Sequence, residues 1–443
     1  MVLLMPASVS AASGDTTADV VFGQPNFNTN SANNGGVSAN GLDSAAGVIF
    51  DTAGRLYITD LRNNRILTFT SPGASDTTAD SVLGQPNMGS NTSNNGGLAG
   101  FGLSTPTSGA FNKNGRLFVV DQANHRILVF HSITASDTTA DTVLGQPNFD
   151  TNSANHLGIS RNSLSSPSSI VFDAENRLYV SDQGNNRVLI FNDPTGGDTA
   201  ADTVLGQPRF DTNSLITDTI SSHVLAAPEG LAIDAEGRLY VADKTNSRVL
   251  IYDNVISGDT LADTVLGQPG FDSNIANNGG VSATSLSRPR GISTDTQGRI
   301  YVADAGNHRI LVYISLTATD SAADAIIGQA SFTSNTANAS GISSQGLNRP
   351  VAITFDSQGQ LYVADQDNNR VLRFANVDSI IVISSDTSAS SDLSSDSSSF
   401  CILSRLIASR FGFELGFMRK TRDFLLKSSS GRLIIALYYH FFG

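Results

Sequence analysis

"YVADKTNSRV", residues 240–249, reads as four strand-forming residues, a polar corner and the start of another strand. The phrase returns as "YITDLRNNRI" at 57–66, "FVVDQANHRI" at 118–127, "YVSDQGNNRV" at 179–188, "YVADAGNHRI" at 301–310 and "YVADQDNNRV" at 362–371. Its aspartate falls at Asp60, Asp121, Asp182, Asp243, Asp304 and Asp365, always 61 residues apart. A second marker, "GQP", starts at Gly23, Gly84, Gly145, Gly206 and Gly267 and becomes "GQA" at Gly328, with the same spacing. Self-similarity at one fixed period marks a solenoid or a propeller.

Four strand-sized segments fill one period. In the fourth copy they are "GLAID" (230–234), "RLYVA" (238–242) and "RVLIY" (248–252), with "DTVLG" (202–206) ending the copy before. Each is rich in β-branched or aromatic residues, and Gly, Asp and Asn separate them. Four short strands per repeat make a propeller blade. The phrase "GRLYVADxxNxRVLxF" resembles the NHL repeat, a blade unit of β-propellers, over residues 19 to about 374 in six copies. Asn176 replaces the opening glycine in copy three and Gln360 the arginine in copy six. The expected fold is all-β: a six-bladed propeller over 15–378, after a signal-peptide remnant at 1–14. A Ser/Asp-rich linker (379–399) and a basic, apolar, helical tail (400–443) follow.

The ends of the repeat predict how the ring closes. "ADVVFG" (18–23) matches a fourth strand with no first three before it, and copy six ends at "VLRF" (371–374) without a fourth strand. The N-terminal strand can complete the sixth blade and remove two unpaired edges. The rival closing strand is "SIIVI" at 379–383.

Within the corner, Asn246 of "KTN" is expected to take left-handed backbone geometry. Asp and Arg can pair as a two-point fork, which points to a structural lock in every blade: Asp60 with Arg65, Asp121 with Arg126, Asp182 with Arg187, Asp243 with Arg248, Asp304 with Arg309 and Asp365 with Arg370. The corner tips differ between copies, so specificity is placed there and nearby: Arg62, Gln122, Gln183, Lys244 and Gln366, with His223 and Glu229 flanking the entry to blade four.

The period exceeds the usual propeller repeat of about 40–45 residues. The excess lies in one connection, such as "PNFNTNSANNGGVSANGLDSA" (25–45), which shares a face with the corner, while the "AEG" turn and "SGDTLAD" connection share the other. Long loops on a rigid scaffold are usual places for function.

Composition narrows the partners. The chain of 443 residues has a formal charge of −13, and its last 43 residues carry seven Lys or Arg against Glu414 and Asp423, so the ring is more acidic still. Such a body repels phosphate backbones, and a nucleic-acid partner is not expected. Cys401 is the sole cysteine, which excludes an intrachain disulfide and a cysteine-based metal site. Calcium is weighed on "DTN" (150–152 and 211–213) and "DSN" (272–274), but the fifth places are Ala154, Leu215 and Ala276, which cannot ligate. No cofactor is expected. The resemblance also implies a second reading, because the peptide-amidating lyases similar to this repeat class hold metal around the channel. That would make the protein a metal-dependent hydrolase or lyase.

The favoured reading is a monomeric, secreted or surface-tethered scaffold that binds a protein or glycan on its long-loop face. The apolar run and small residues of "MVLLMPASVSAASGD" (1–15) resemble the end of a secretory signal. The tail, "FCILSRLIASRFGF…", resembles a short C-terminal domain of exported bacterial proteins that opens Cys-Phe-Ile, although here Phe precedes Cys. Contact of that tail with a membrane surface or an anchoring partner is also expected.

Overall fold

The computed structural model describes residues 16–377 apart from 75, 134–136, 195–198, 215–219, 315, 317–320, 340 and 376. Contacts divide the chain into residues 1–384 and 385–443. The second unit, the "SIIVI" segment, the linker, the tail expected to be helical and the leader residues 1–14 lie outside the described residues. Among the described residues no helix is long and apolar enough to cross a membrane.

Residues 45–374, with 20–22, form six four-stranded antiparallel sheets. Blade four is typical: Pro228–Ile233 innermost, then Leu239–Asp243, Arg248–Tyr252 and, outermost, Thr264–Leu266. The inner strands neighbour one another in chain order, and the sixth returns to the first, so the blades close a ring about a channel. Middle strands such as "LYVAD" and "RVLIY" are buried throughout because a neighbouring blade covers each face. The core is accordingly a set of seams between blades. Tyr240, Val249 and Ile251 of blade four, for example, pack on Ile300, Val302 and Leu311 of blade five.

The ring closes with the N-terminal strand. Val20–Phe22 pairs antiparallel with Arg370–Phe374, Val20 opposite Arg373 and Phe22 opposite Val371. This is the register of the outer strand in every other blade, as Ser81 opposite Thr68 shows. Phe22 is fully buried against Phe69 and Tyr362. The Ala375 N–H donates to Asp19 Oδ2, repeating the bond from Thr70 N–H to Asp80.

Two local expectations are corrected by the corner. The left-handed residue is the one after the repeated asparagine: Asn64, His125, Asn186, Ser247, His308 and Asn369 have φ between 51° and 55°. Asn246 instead donates from Nδ2 to Asp243 Oδ2 at 2.8 Å, which a left-handed turn one residue later makes reachable. Nor is the Asp with Arg pair a two-point fork. Arg248 reaches Asp243 Oδ2 through Nε alone, at 2.8 Å, because its other nitrogens donate to the Phe271, Ser221 and Val224 carbonyls. On the opposite face, the turn glycine has positive φ at Gly54, Gly115, Gly237, Gly298 and Gly359. Asn176 holds the same place at φ 73°, a conformation asparagine tolerates better than most side chains.

Candidate functional site

The six buried Asp with Arg pairs fix the corner face. All six arginines and all six aspartates are fully buried. In blade one Arg65 donates from Nε to Asp60 at 2.7 Å and from its terminal nitrogens to the carbonyls of Met88, Ser38 and Gly41. Asp60 also accepts from the Asp43 N–H and from Asn63 Nδ2. Burial pushes the Asp60 carboxyl up to about 6, against the opposing pull of the Arg65 charge and these donors. Each arginine thus ties carbonyls of two long loops to a strand corner. In blade six one of those carbonyls is Phe27 O, delivered by the N-terminal segment. Amide pairs add to this: Asn33 and Asn63 exchange hydrogen bonds through their side chains. Over their described residues the long loops are therefore packed on the corners, with the carbonyls that accept from the arginines turned inward.

A further contact joins each corner to the next blade. The residue at the entry to each inner strand, at Ser44, Thr105, Ser166, Ala227, Arg288 and Arg349, has positive φ, and its N–H donates to the side chain of the left-handed residue of the preceding corner. Asn64 Oδ1 accepts from Thr105 at 2.9 Å, His125 Nδ1 from Ser166 at 2.9 Å and His308 Nδ1 from Arg349 at 3.1 Å. Both imidazoles must be neutral to accept there, and burial lowers the pKa of each.

These devices surround the mouth of a channel of about 590 Å³. One position on each inner strand is occupied only by small residues: Gly47, Ser108, Ser169, Gly230, Gly291 and Ala352. Contact between strands explains this, since a Cβ on Gly230 would lie 1.9 Å from the Arg290 carbonyl oxygen. The position just before it varies, as Ala46, Thr107, Ser168, Glu229, Arg290 and Val351, and all six line the channel. At the far end of the channel Phe50, Phe111, Phe172 and Phe355 stand at equivalent places, each packed on an aromatic ring about 5 Å away.

Five residues expected to carry specificity do line the channel: Arg62, Gln122, Gln183, Glu229 and Gln366. Gln122 Nε2 approaches Gln183 Oε1 at 3.4 Å, and Gln183 Nε2 donates to Glu229 Oε1 at 2.8 Å. Lys244 is not a lining residue but pairs with Glu229 Oε1 at 2.5 Å. Arg290 holds the same carboxylate, Nε to Oε2 at 2.7 Å, and donates from Nη1 to Gln366 Oε1 at 3.2 Å. Arg349 Nε donates to that same oxygen at 3.1 Å. A polar arc thus runs from blade two to blade six. Arg62 makes no bond within this arc; it is two-thirds exposed and ion-paired with Asp43 at 3.5 Å, but lies close enough to Arg349 for its charge to act there.

His223 does not join this arc. It is exposed in the long loop and absent from the channel lining, because the buried Val224 and Leu225 beside it anchor the loop. Reading the tips alone also missed Arg290 and Arg349. Both were visible as large cations in columns where other copies carry mostly small residues. Burial pushes Arg349 below the usual arginine range; Asp367 and Glu229 oppose this, while the like charges of Arg290 and Arg62 add to it. Among the described residues no three His, Cys, Asp or Glu side chains gather as metal ligands would.

The NHL repeat matches residues 164–191, 225–252, 286–313 and 347–374. The protein is thus a six-bladed β-propeller containing NHL repeats. It is 25% identical over 276 residues to the Arabidopsis thaliana protein SUPPRESSOR OF QUENCHING 1, chloroplastic, a match covering 61% of this chain. The chain spans about a quarter (24%) of that relative's length. Similar solved structures include virginiamycin B lyase from Staphylococcus aureus, 12% identical with a TM-score of 0.40, covering 74% of this chain and 94% of that one. A gluconolactonase from Xanthomonas campestris is 13% identical with a TM-score of 0.43, covering 75% and 86%. The activities named are those proteins' own.

Proposed function

We propose that this propeller is a binding scaffold, acting outside the cell or at its surface, that receives a protein or glycan at the corner-side channel mouth. The observation that carries the reading is the contrast between a constant frame and a variable mouth. The same buried pair fixes the long loops in all six blades, whereas the side chains at the mouth differ from blade to blade. A rigid frame bearing unlike side chains lowers the ordering cost of binding, and the channel volume falls within the roughly 300–1,000 Å³ usual for ligand sites. The signal-like start supports an exported location.

Immobilised protein screened against arrayed glycans and extracellular proteins tests this. A ligand should bind one per ring and be recovered chemically unchanged. Arg62→Glu should weaken its binding at least tenfold, and Lys113→Glu, on the exposed turn of the opposite face, should leave it intact. Loss with Lys113→Glu alone, or recovery of the ligand cleaved, would overturn the reading, the latter in favour of a hydrolase or lyase.

A further inference from the structure

Cations gather at the mouth of a ring that is otherwise acidic. Three guanidiniums, Arg62, Arg290 and Arg349, line the channel against one carboxylate, Glu229. That carboxylate is already shared between Lys244 and Arg290. Arg62 and Arg349 are each ion-paired at one edge, with Asp43 at 3.5 Å and Asp367 at 3.4 Å, and both of these carboxylates lie outside the lining. The group that bridges Arg290 and Arg349 is the neutral Gln366 carbonyl oxygen. Two guanidiniums converging on one neutral oxygen are placed to exchange it for an anionic one, and paired guanidiniums match the planar geometry of a carboxylate.

The rest of the arc says what should be attached to that carboxylate. From blades two and three, Gln122 and Gln183 bring side-chain amides to the mouth beside the cations, each both donor and acceptor. Amides beside guanidiniums suit a chain of hydroxyls ending in a carboxylate.

We propose that Arg62, Arg290 and Arg349 form an anion subsite for the carboxylate of an acidic saccharide, with Gln122 and Gln183 taking its hydroxyls. The inference rests on the reading that the corner-side mouth is the binding face, and it names the ligand class for that face.

Titration calorimetry on the full chain with trigalacturonate, its neutral galactose counterpart, acetate and a glutamate-rich peptide tests it. Trigalacturonate should bind one per ring, at least tenfold more tightly than the neutral sugar or acetate, and more weakly as salt rises. Arg349→Gln and, separately, Arg62→Gln should each weaken it about tenfold while melting as the unsubstituted protein does. Equal binding of the neutral sugar, or no effect of either substitution, would overturn the anion subsite while leaving a binding face intact. Arginine-dependent binding of the peptide but not of trigalacturonate would overturn the saccharide assignment. Failure of all four probes would overturn the inference, while the array screen with Arg62→Glu and Lys113→Glu still decides the scaffold reading.

Discussion

Arg248 shows how one side chain can hold a strand to two loops. It is wholly buried, it is paired with a buried aspartate, and it donates to three loop carbonyls. Removing it leaves Asp243 as an uncompensated buried carboxylate and three carbonyls short of a donor. Breaking such a pair costs about 3–5 kcal/mol. We therefore expect Arg248→Ala to lower the melting temperature substantially, whereas Arg62→Ala, two-thirds exposed, should cost about 0–1 kcal/mol. Equal melting temperatures would place Arg248 outside the frame. His125 and His308 make a second prediction. Burial lowers both pKa values, so the folded protein favours the neutral rings that accept from Ser166 and Arg349. A group with a depressed folded pKa contributes stability above its unfolded value of about 6.5, and that stability is lost as the pH falls toward the folded value. Thermal melts from pH 8 to pH 5 should show the native chain losing more than the double variant His125→Asn, His308→Asn, which copies the asparagine used in three other blades. Identical pH profiles would remove the histidines from the latch.

At the scale of the element, closure depends on three residues. Val20, Val21 and Phe22 complete blade six, and Phe27 O completes its arginine lock. Deleting residues 1–25 should expose the edge of Arg370–Phe374, lower the melting temperature and promote association, because an exposed strand edge templates pairing. Truncation after residue 384 should do neither. A silent N-terminal deletion, with unfolding on truncation before Ile380, would contradict the observed pairing. This element was legible in the sequence because a strand's register is written in its own residues: "DVVFG" repeats "DTVLG" and takes the same place. The corner was half legible. The aspartate, asparagine and arginine were evident, but their bonds were not, since the left-handed residue is Ser247 rather than Asn246 and the guanidinium looks mainly toward loop carbonyls more than twenty residues away.

The whole molecule adds what no single repeat contains. Arg290 and Arg349 stand out as cations within their own columns, but their meeting with Glu229 and Gln366 is written in no single repeat, because it requires six inner strands to share an axis. Spacing along the chain records the blades but not their convergence, which is why the arginines of blades five and six went unread while the tips of blades two and three were found. The central claim is that the ring's constant frame serves a ligand site at the corner-side mouth, and hydrogen exchange of the full chain with and without its bound ligand tests it most directly. Protection should rise at the corner-side segments 61–64, 183–186, 227–230, 288–291 and 349–351, and stay unchanged at the opposite turns 112–115, 234–237 and 295–298. Protection confined to those opposite turns, with the mouth unaffected, would contradict the account.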